Sequence, residues 1–138
     1  MKSTGLLFSA LMMMAFHVIA ADTNLNQSVT VERPLDRVIQ AMQTYYSDTN
    51  YHGHASAVHS TNSVPGVSYS LGLWDCAFST SVGMLDGEIV ATRISARTTK
   101  LELVVKTRAP EDAKAAESFK RGVTKTLERV AKIAESKP

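Results

Sequence analysis

The sequence predicts an α+β domain in which a short N-terminal helix and a long C-terminal helix pack on an antiparallel β-sheet. Two observations carry this prediction. Apolar residues alternate with polar ones before Pro34 and again in the middle of the chain, which is typical of half-buried strands. Apolar residues recur every three or four positions after Pro34 and after Pro110, which is typical of helices that cover a sheet. The expected order is one strand, one helix, four strands and one helix.

The first strand and the first helix adjoin each other at Pro34. One face of the strand carries every second residue, namely Leu25, Gln27, Val29 and Val31. An apolar stripe then predicts a helix over residues 34–46, with proline at its first position, and the stripe consists of Leu35, Val38, Ile39, Met42 and Tyr45. Residues 47–66 are rich in Ser, Thr, Asn, His and Gly, so we expect a long loop there.

Four strands are expected between this loop and the last helix. They cover residues 67–73, 76–85, 89–96 and 101–105. Asp86 and Gly87 separate two apolar runs and both tolerate the positive φ of a two-residue turn, so they predict a tight hairpin. The four strands together form an antiparallel meander.

The closing helix is expected over residues 110–135. Glu111 and Asp112 are expected in its first turn, where negative charge suits the helix dipole. Phe119 is expected to face the sheet. The full apolar stripe consists of Ala115, Ala116, Phe119, Val123, Leu127, Val130 and Ala134.

Residues 1–20 have the composition of a secretory signal peptide. Lys2 supplies the positive start, residues 6–19 are mostly apolar, and small residues follow, so we expect cleavage after Ala20 or Ala21. The apolar run is shorter than the roughly 20 residues of a membrane span, so stable membrane insertion is not expected. The prediction is a single α+β domain over residues 21–138 that is periplasmic or secreted.

Composition limits the kinds of partner. The chain has 15 Lys and Arg against 13 Asp and Glu, and they are interleaved, so no basic stripe indicates nucleic-acid binding. Cys76 is the only cysteine, which excludes an internal disulfide. It lies near Trp74 and Phe78, and we expect a small buried side chain rather than a catalytic nucleophile.

Two segments resemble the helix-grip domain of the START and polyketide-cyclase-like superfamily, SRPBCC. Residues 28–42, in which a strand passes through Pro34 into a helix, resemble its opening. Residues 110–135, with Phe119 and Leu127, resemble its closing helix. The resemblance implies an apolar ligand held between the sheet and the long helix, and it brings no fixed set of catalytic residues. This chain is shorter than most members.

Aromatic residues are the candidate ligand-binding set. If the long helix spans a curved sheet, inward-facing aromatic side chains line the space between them. The set consists of Tyr45, Tyr69, Trp74, Phe78 and Phe119. The same side chains would equally fill a packed core, and this alternative stays open.

Three histidines in the polar segment are the candidate metal ligands. His52 and His54 are two residues apart and point the same way in an extended segment, and His59 follows a few residues later. Imidazole is a suitable ligand for zinc or copper. The spacing matches no standard zinc motif, so a polar loop that binds no metal is the alternative.

The sequence therefore predicts an exported, non-enzymatic domain that binds an apolar or amphipathic, lipid-like small molecule and needs no cofactor. No motif for a phosphate loop, a dinucleotide site or a serine nucleophile is present. The alternative is a periplasmic metal-binding or protein-interaction module whose core is filled.

Overall fold

The computed structural model describes residues 24–47, 56–75 and 85–136, which form a five-stranded sheet covered on one face by two helices. The strands are β1 (Gln27–Val31), β2 (Ser56–Val64), β3 (Ser68–Asp75), β4 (Leu85–Ser95) and β5 (Thr98–Val105). The helices are α1 (Leu35–Ser47) and α2 (Ala113–Ser136). This order confirms the predicted α+β fold class, with one strand, one helix, four strands and one helix.

The sheet is antiparallel throughout, in the order β1-β5-β4-β3-β2. Strands β2 to β5 form a meander and β1 pairs with the far side of β5, so β1 and β2 are the two edges. We call the helix-covered side the inner face and the opposite side the outer face. The buried side chains of the inner face are Val31, Leu71, Leu73, Leu85, Ile89, Ala91, Thr99, Leu101 and Leu103.

The two helices lie beside each other and bury their predicted apolar stripes. α1 buries Leu35, Val38, Ala41, Met42, Tyr45 and Tyr46. α2 buries Ala116, Phe119, Val123, Thr126, Leu127, Val130 and Ala134, so Phe119 faces the core as expected. At about 1.5 Å per residue, the 24 residues of α2 make a helix about 36 Å long. It packs mainly against α1 and β1.

Polar contacts at the ends of elements fix the path of the chain. The buried Thr99 hydroxyl donates to the carbonyl oxygen of Arg33 at 2.9 Å, which joins β5 to the connection between β1 and α1. The Arg33 guanidinium donates to the carbonyl oxygen of Glu135 at 3.0 Å, near the end of α2. Asp112 precedes α2 instead of lying in its first turn, and its carboxylate accepts a hydrogen bond from the backbone nitrogen of Ala115 at 3.3 Å. Asp112 therefore acts as the N-cap of α2.

The predicted loop over residues 47–66 is wrong for residues 56–64, which form β2. Residues 58–64 are all exposed, and β2 is an edge strand of the sheet. A strand without a buried face shows no apolar alternation in its sequence. Hydrogen bonds to β3 hold it in place, with a register shift between Val58 and Ser60 that leaves His59 in a bulge.

The predicted hairpin turn at Asp86 and Gly87 is also wrong, since both residues lie inside β4. Asp86 pairs with Trp74 of β3, and Gly87 pairs with Leu73. Gly87 is buried, and a Cβ atom at this position would lie 2.5 Å from the carbonyl oxygen of Val104. Gly87 therefore allows β4 and β5 to approach each other closely and is not part of a turn.

The meander turns elsewhere. Residues 65–67 connect β2 to β3, with Gly66 at a φ of 72°, and Ala96 and Arg97 connect β4 to β5. The predicted strand over residues 76–85 lies outside the described residues except for its last position, as do Cys76 and the expected signal peptide. Within the described ranges, no helix is both long and apolar enough to cross a bilayer.

Candidate functional site

An open pocket of about 320 Å³ lies where the start of α1 meets two hairpin ends of the sheet. Its lining comes from three separate segments of the chain. These are Pro34, Leu35, Asp36 and Ile39 at the start of α1, Gly66 in the β2–β3 turn, and Arg93, Ser95 and Ala96 at the end of β4. This volume is at the lower end of the range of about 300–1,000 Å³ found for small-molecule sites.

Backbone hydrogen bonds hold the walls of this pocket in place. The carbonyl oxygen of Pro34 accepts from the backbone nitrogens of Arg37 at 3.1 Å and Val38 at 3.3 Å, so α1 begins directly after the proline. Gly66 supplies the positive φ that the β2–β3 turn needs. The backbone nitrogen of Arg93 donates to the carbonyl oxygen of Val67 at 2.9 Å. This last bond ties the end of β4 to the neighbouring turn, so two walls of the pocket form one unit.

The pocket lining combines an apolar surface with two opposite charges. Leu35 and Ile39 belong to the apolar stripe of α1, with Leu35 buried and Ile39 half-buried against the core. Asp36 and Arg93 are both exposed and carry charges of opposite sign. A lining of this kind suits a molecule with an apolar part and a polar head group, since the apolar part can contact apolar side chains and the head group can contact a charged one.

Two members of the predicted aromatic set, Tyr45 and Phe119, lie in a filled core. Tyr45 has no exposed surface, and its ring meets that of Tyr46 edge-on at 4.7 Å between centroids. Phe119 is 4% exposed, while Val123 and Leu127 on the next turns of α2 are fully buried. Fully buried side chains leave no water-sized space beside them, so the layer beneath this part of α2 is packed.

The other members of the aromatic set are not brought together with these two. Tyr69 is half-buried, and its hydroxyl oxygen accepts a hydrogen bond from Nε2 of Gln43 at 3.4 Å, which links β3 to α1. Trp74 lies on the outer face and is 47% exposed, so the sheet separates it from Tyr45 and Phe119. Phe78 lies outside the described residues. Ligand binding by this set stays a prediction.

Of the three candidate metal ligands, His59 lies in β2, while His52 and His54 fall outside the described residues. The His59 ring is 5.2 Å from the Trp74 ring between centroids, with a tilt of 40°. Its Nε2 lies 3.9 Å from Oδ1 of Asp86. In the part of the chain that the structure describes, no three His, Cys, Asp or Glu side chains lie close enough to hold a metal ion. Zinc or copper binding by the histidine set stays a prediction.

Sequence reasoning did not select the pocket residues. Ile39 belongs to the predicted stripe of α1, but its spacing does not distinguish a pocket wall from the core. Arg93 is typical of a solvated strand end. The usable signal is Pro65-Gly66, which indicates a turn, but the sheet register is needed to place that turn beside Arg93.

No protein-family model and no curated protein matches the chain. Among solved structures, the chain is similar to the Zhui aromatase/cyclase from Streptomyces sp. R1128, with 18% identity and a TM-score of 0.43 over 80% of this chain and 92% of that chain. It is also similar to the di-domain ARO/CYC StfQ from the steffimycin biosynthetic pathway, with 14% identity and a TM-score of 0.42 over 80% of this chain and 46% of that chain.

A third similar structure is a START superfamily protein from Mycobacterium smegmatis, with 11% identity and a TM-score of 0.39 over 80% of this chain and 93% of that chain. The element order and the long terminal helix packed beside a strand–helix opening confirm the predicted α+β, helix-grip-like architecture.

Proposed function

We propose that this protein binds an amphipathic small molecule in the pocket at the start of α1. The observation that carries the proposal is the pocket of about 320 Å³ with a lining both apolar and charged, in a domain whose core is filled beneath α2. The proposed site therefore lies at the start of α1 and the two hairpin ends.

The lining favours a ligand with an apolar chain and an anionic head group. Ile39 and Leu35 offer the apolar wall, and contact with it removes apolar ligand surface from water. The guanidinium of Arg93 presents a planar set of donors that matches a carboxylate. Asp36 lies in the first turn of α1, where the helix dipole already stabilises its negative charge. Arg93 is thus the residue that selects the head group.

The same lining supports binding rather than catalysis. None of the lining residues is a histidine or a cysteine. The hydroxyl oxygen of Ser95 accepts a hydrogen bond from the backbone nitrogen of Arg97 at 3.3 Å. The lining therefore offers apolar contact and charged recognition groups.

Titration with three amphiphiles of equal chain length tests the proposal. We expect decanoate to bind saturably with a Kd below about 100 µM, near −5.5 kcal/mol, and decanol and decylammonium to bind more weakly. Ala96→Trp fills the pocket from an exposed position and should abolish binding, whereas Thr61→Trp on exposed β2 is the matched control. Arg93→Gln should weaken decanoate binding at least tenfold and leave decanol unaffected. Equal binding of all three amphiphiles, or unchanged binding by Ala96→Trp, would contradict the proposal.

We also propose that the protein is exported, on the basis of Lys2, the apolar run over residues 6–19 and the small residues that follow. N-terminal sequencing of the protein from its own cells should begin at Ala21 or Asp22. Recovery of the protein from the cytoplasm with Met1 in place would overturn this proposal and leave the pocket proposal unaffected.

A further inference from the structure

An aromatic, an imidazole and a carboxylate side chain meet on the outer face of the sheet, opposite to the helices. Trp74 of β3 pairs directly with Asp86 of β4, and Glu88 pairs with Gly72. The His59 ring lies 5.2 Å from the Trp74 ring, and its Nε2 lies 3.9 Å from Oδ1 of Asp86. We call His59, Trp74, Asp86 and Glu88 the outer-face cluster.

Two local features of the backbone bring His59 across β3 to reach β4. The register shift between Val58 and Ser60 leaves His59 as the extra residue of a bulge. Gly72, beneath it, has no side chain, and a Cβ atom there would collide with Oγ of Ser60 and lie 2.8 Å from Cε1 of His59. Bulges that redirect a side chain in this way are frequent beside functional sites.

The carboxylate of Asp86 is held by a fixed backbone. The backbone nitrogen of Asp86 donates to Oγ1 of Thr107 at 2.7 Å. Its carbonyl oxygen accepts from the backbone nitrogens of Lys106 at 2.8 Å and Thr107 at 3.2 Å. The side chain of Asp86 nevertheless stays 51% exposed, and Trp74 is 47% exposed. The backbone that carries Asp86 is therefore fixed, and the side chains of Asp86 and Trp74 are open to solvent.

The carboxylates of Asp86 and Glu88 are the charged groups of the cluster, and one basic residue, Lys106, follows β5 beside Asp86, to whose carbonyl oxygen its backbone nitrogen donates at 2.8 Å. From residue 38 to residue 92 the sequence contains no Lys and no Arg. Among the described side chains on the outer face of β2, β3 and β4 up to Thr92, the carboxylates are those of Asp86 and Glu88. The carboxylate of Glu102 on β5 differs, because it pairs with the Lys100 ammonium at 3.8 Å. Asp86 and Glu88 thus leave negative charge beside an exposed indole.

We propose that the outer-face cluster binds an organic cation, with an ammonium group against the Trp74 ring and between the carboxylates of Asp86 and Glu88. The face of an aromatic ring attracts a cation electrostatically, and indole does so most strongly. The two carboxylates add charge attraction to this. They repel an anionic ligand, and an apolar ligand would leave them desolvated without a partner. This site lies on the opposite side of the sheet from the α1 pocket and is independent of it.

The fluorescence of Trp74 reports on this site directly, because it is the only tryptophan in the chain. At constant ionic strength, tetramethylammonium and putrescine should each change its emission saturably. Neopentyl alcohol, a neutral molecule close in shape to tetramethylammonium, should cause no saturable change. Backbone amide shifts in an NMR titration should move for β3 and β4 and not for α1.

Carboxylate variants complete the test. Asp86→Asn and Glu88→Gln keep the side-chain shape, and each should weaken putrescine binding at least tenfold. Glu102→Gln is the matched control on the same face and should bind as the unaltered protein does. Equal responses to the alcohol and the cations, or undiminished putrescine binding by both carboxylate variants, would each overturn the proposal. Circular dichroism confirms that each variant is folded.

Discussion

Replacing Phe119 by alanine tests whether the layer beneath α2 is filled. Phe119 is 4% exposed, and Val123 and Leu127 beside it in the stripe have no exposed surface. Loss of a buried ring forfeits its transfer free energy and leaves a cavity, and Phe→Ala changes of this kind cost about 3–5 kcal/mol. A small domain has a total unfolding free energy of about 5–15 kcal/mol. The variant should therefore lose a large share of its stability.

Urea unfolding followed by circular dichroism measures this loss. With a slope of about 1.5–2 kcal/mol per molar urea, the unfolding midpoint of Phe119→Ala should fall by about 2 M. Ser118→Ala, at the exposed neighbouring position on α2, is the control and should change the unfolding free energy by less than about 0.5 kcal/mol. A loss below about 1.5 kcal/mol for Phe119→Ala, with an unchanged slope, would refute the reasoning, because the ring would then border an empty space.

Three further predictions concern backbone approach and polar contacts, all followed by thermal or urea unfolding. Gly87→Ala should cost about 1–3 kcal/mol, because the added methyl presses on the carbonyl oxygen of Val104, and a more stable variant would contradict that close approach. Thr99→Val should cost about 1–3 kcal/mol, because the carbonyl oxygen of Arg33 loses its donor. Thr99→Ser keeps the donor and should lose less; equal losses would argue for packing instead. Asp112→Ala should cost about 0.5–2 kcal/mol through the lost cap, and a comparable loss in Asp112→Asn would argue against capping as the cause.

Both helices and the strands β1, β3 and β5 could be predicted because burial on one side imposes a period on the apolar residues. Val38 and Met42 in α1 are four positions apart and both buried, and the same holds for Val123 and Leu127 in α2. Strand β2 has no such period over residues 58–64, because these residues are exposed on both faces and the strand is held by backbone hydrogen bonds to β3. Such bonds place no demand on the side chains.

The two candidate sites could not be predicted because their residues meet only through the register of the sheet. Arg93 and Ile39 line one pocket, but they belong to different elements and neither carries a signature of its own. His59 reaches Asp86 because of a bulge and an absent side chain at Gly72, and neither feature has a distinctive sequence. Asp86 beside Gly87 instead resembles a turn, because the same residue pair serves turns and close strand approaches equally well.

The distribution of basic residues also determines where trypsin can cut this protein. Trypsin cuts after Lys and Arg, so residues 38–93, which include all of β2 and β3, leave a digest as one peptide. Survival of this half in trypsin therefore reflects its composition and does not report how often the β2 edge opens. A protease that cuts at aromatic or aliphatic residues, or amide hydrogen exchange, senses that opening directly.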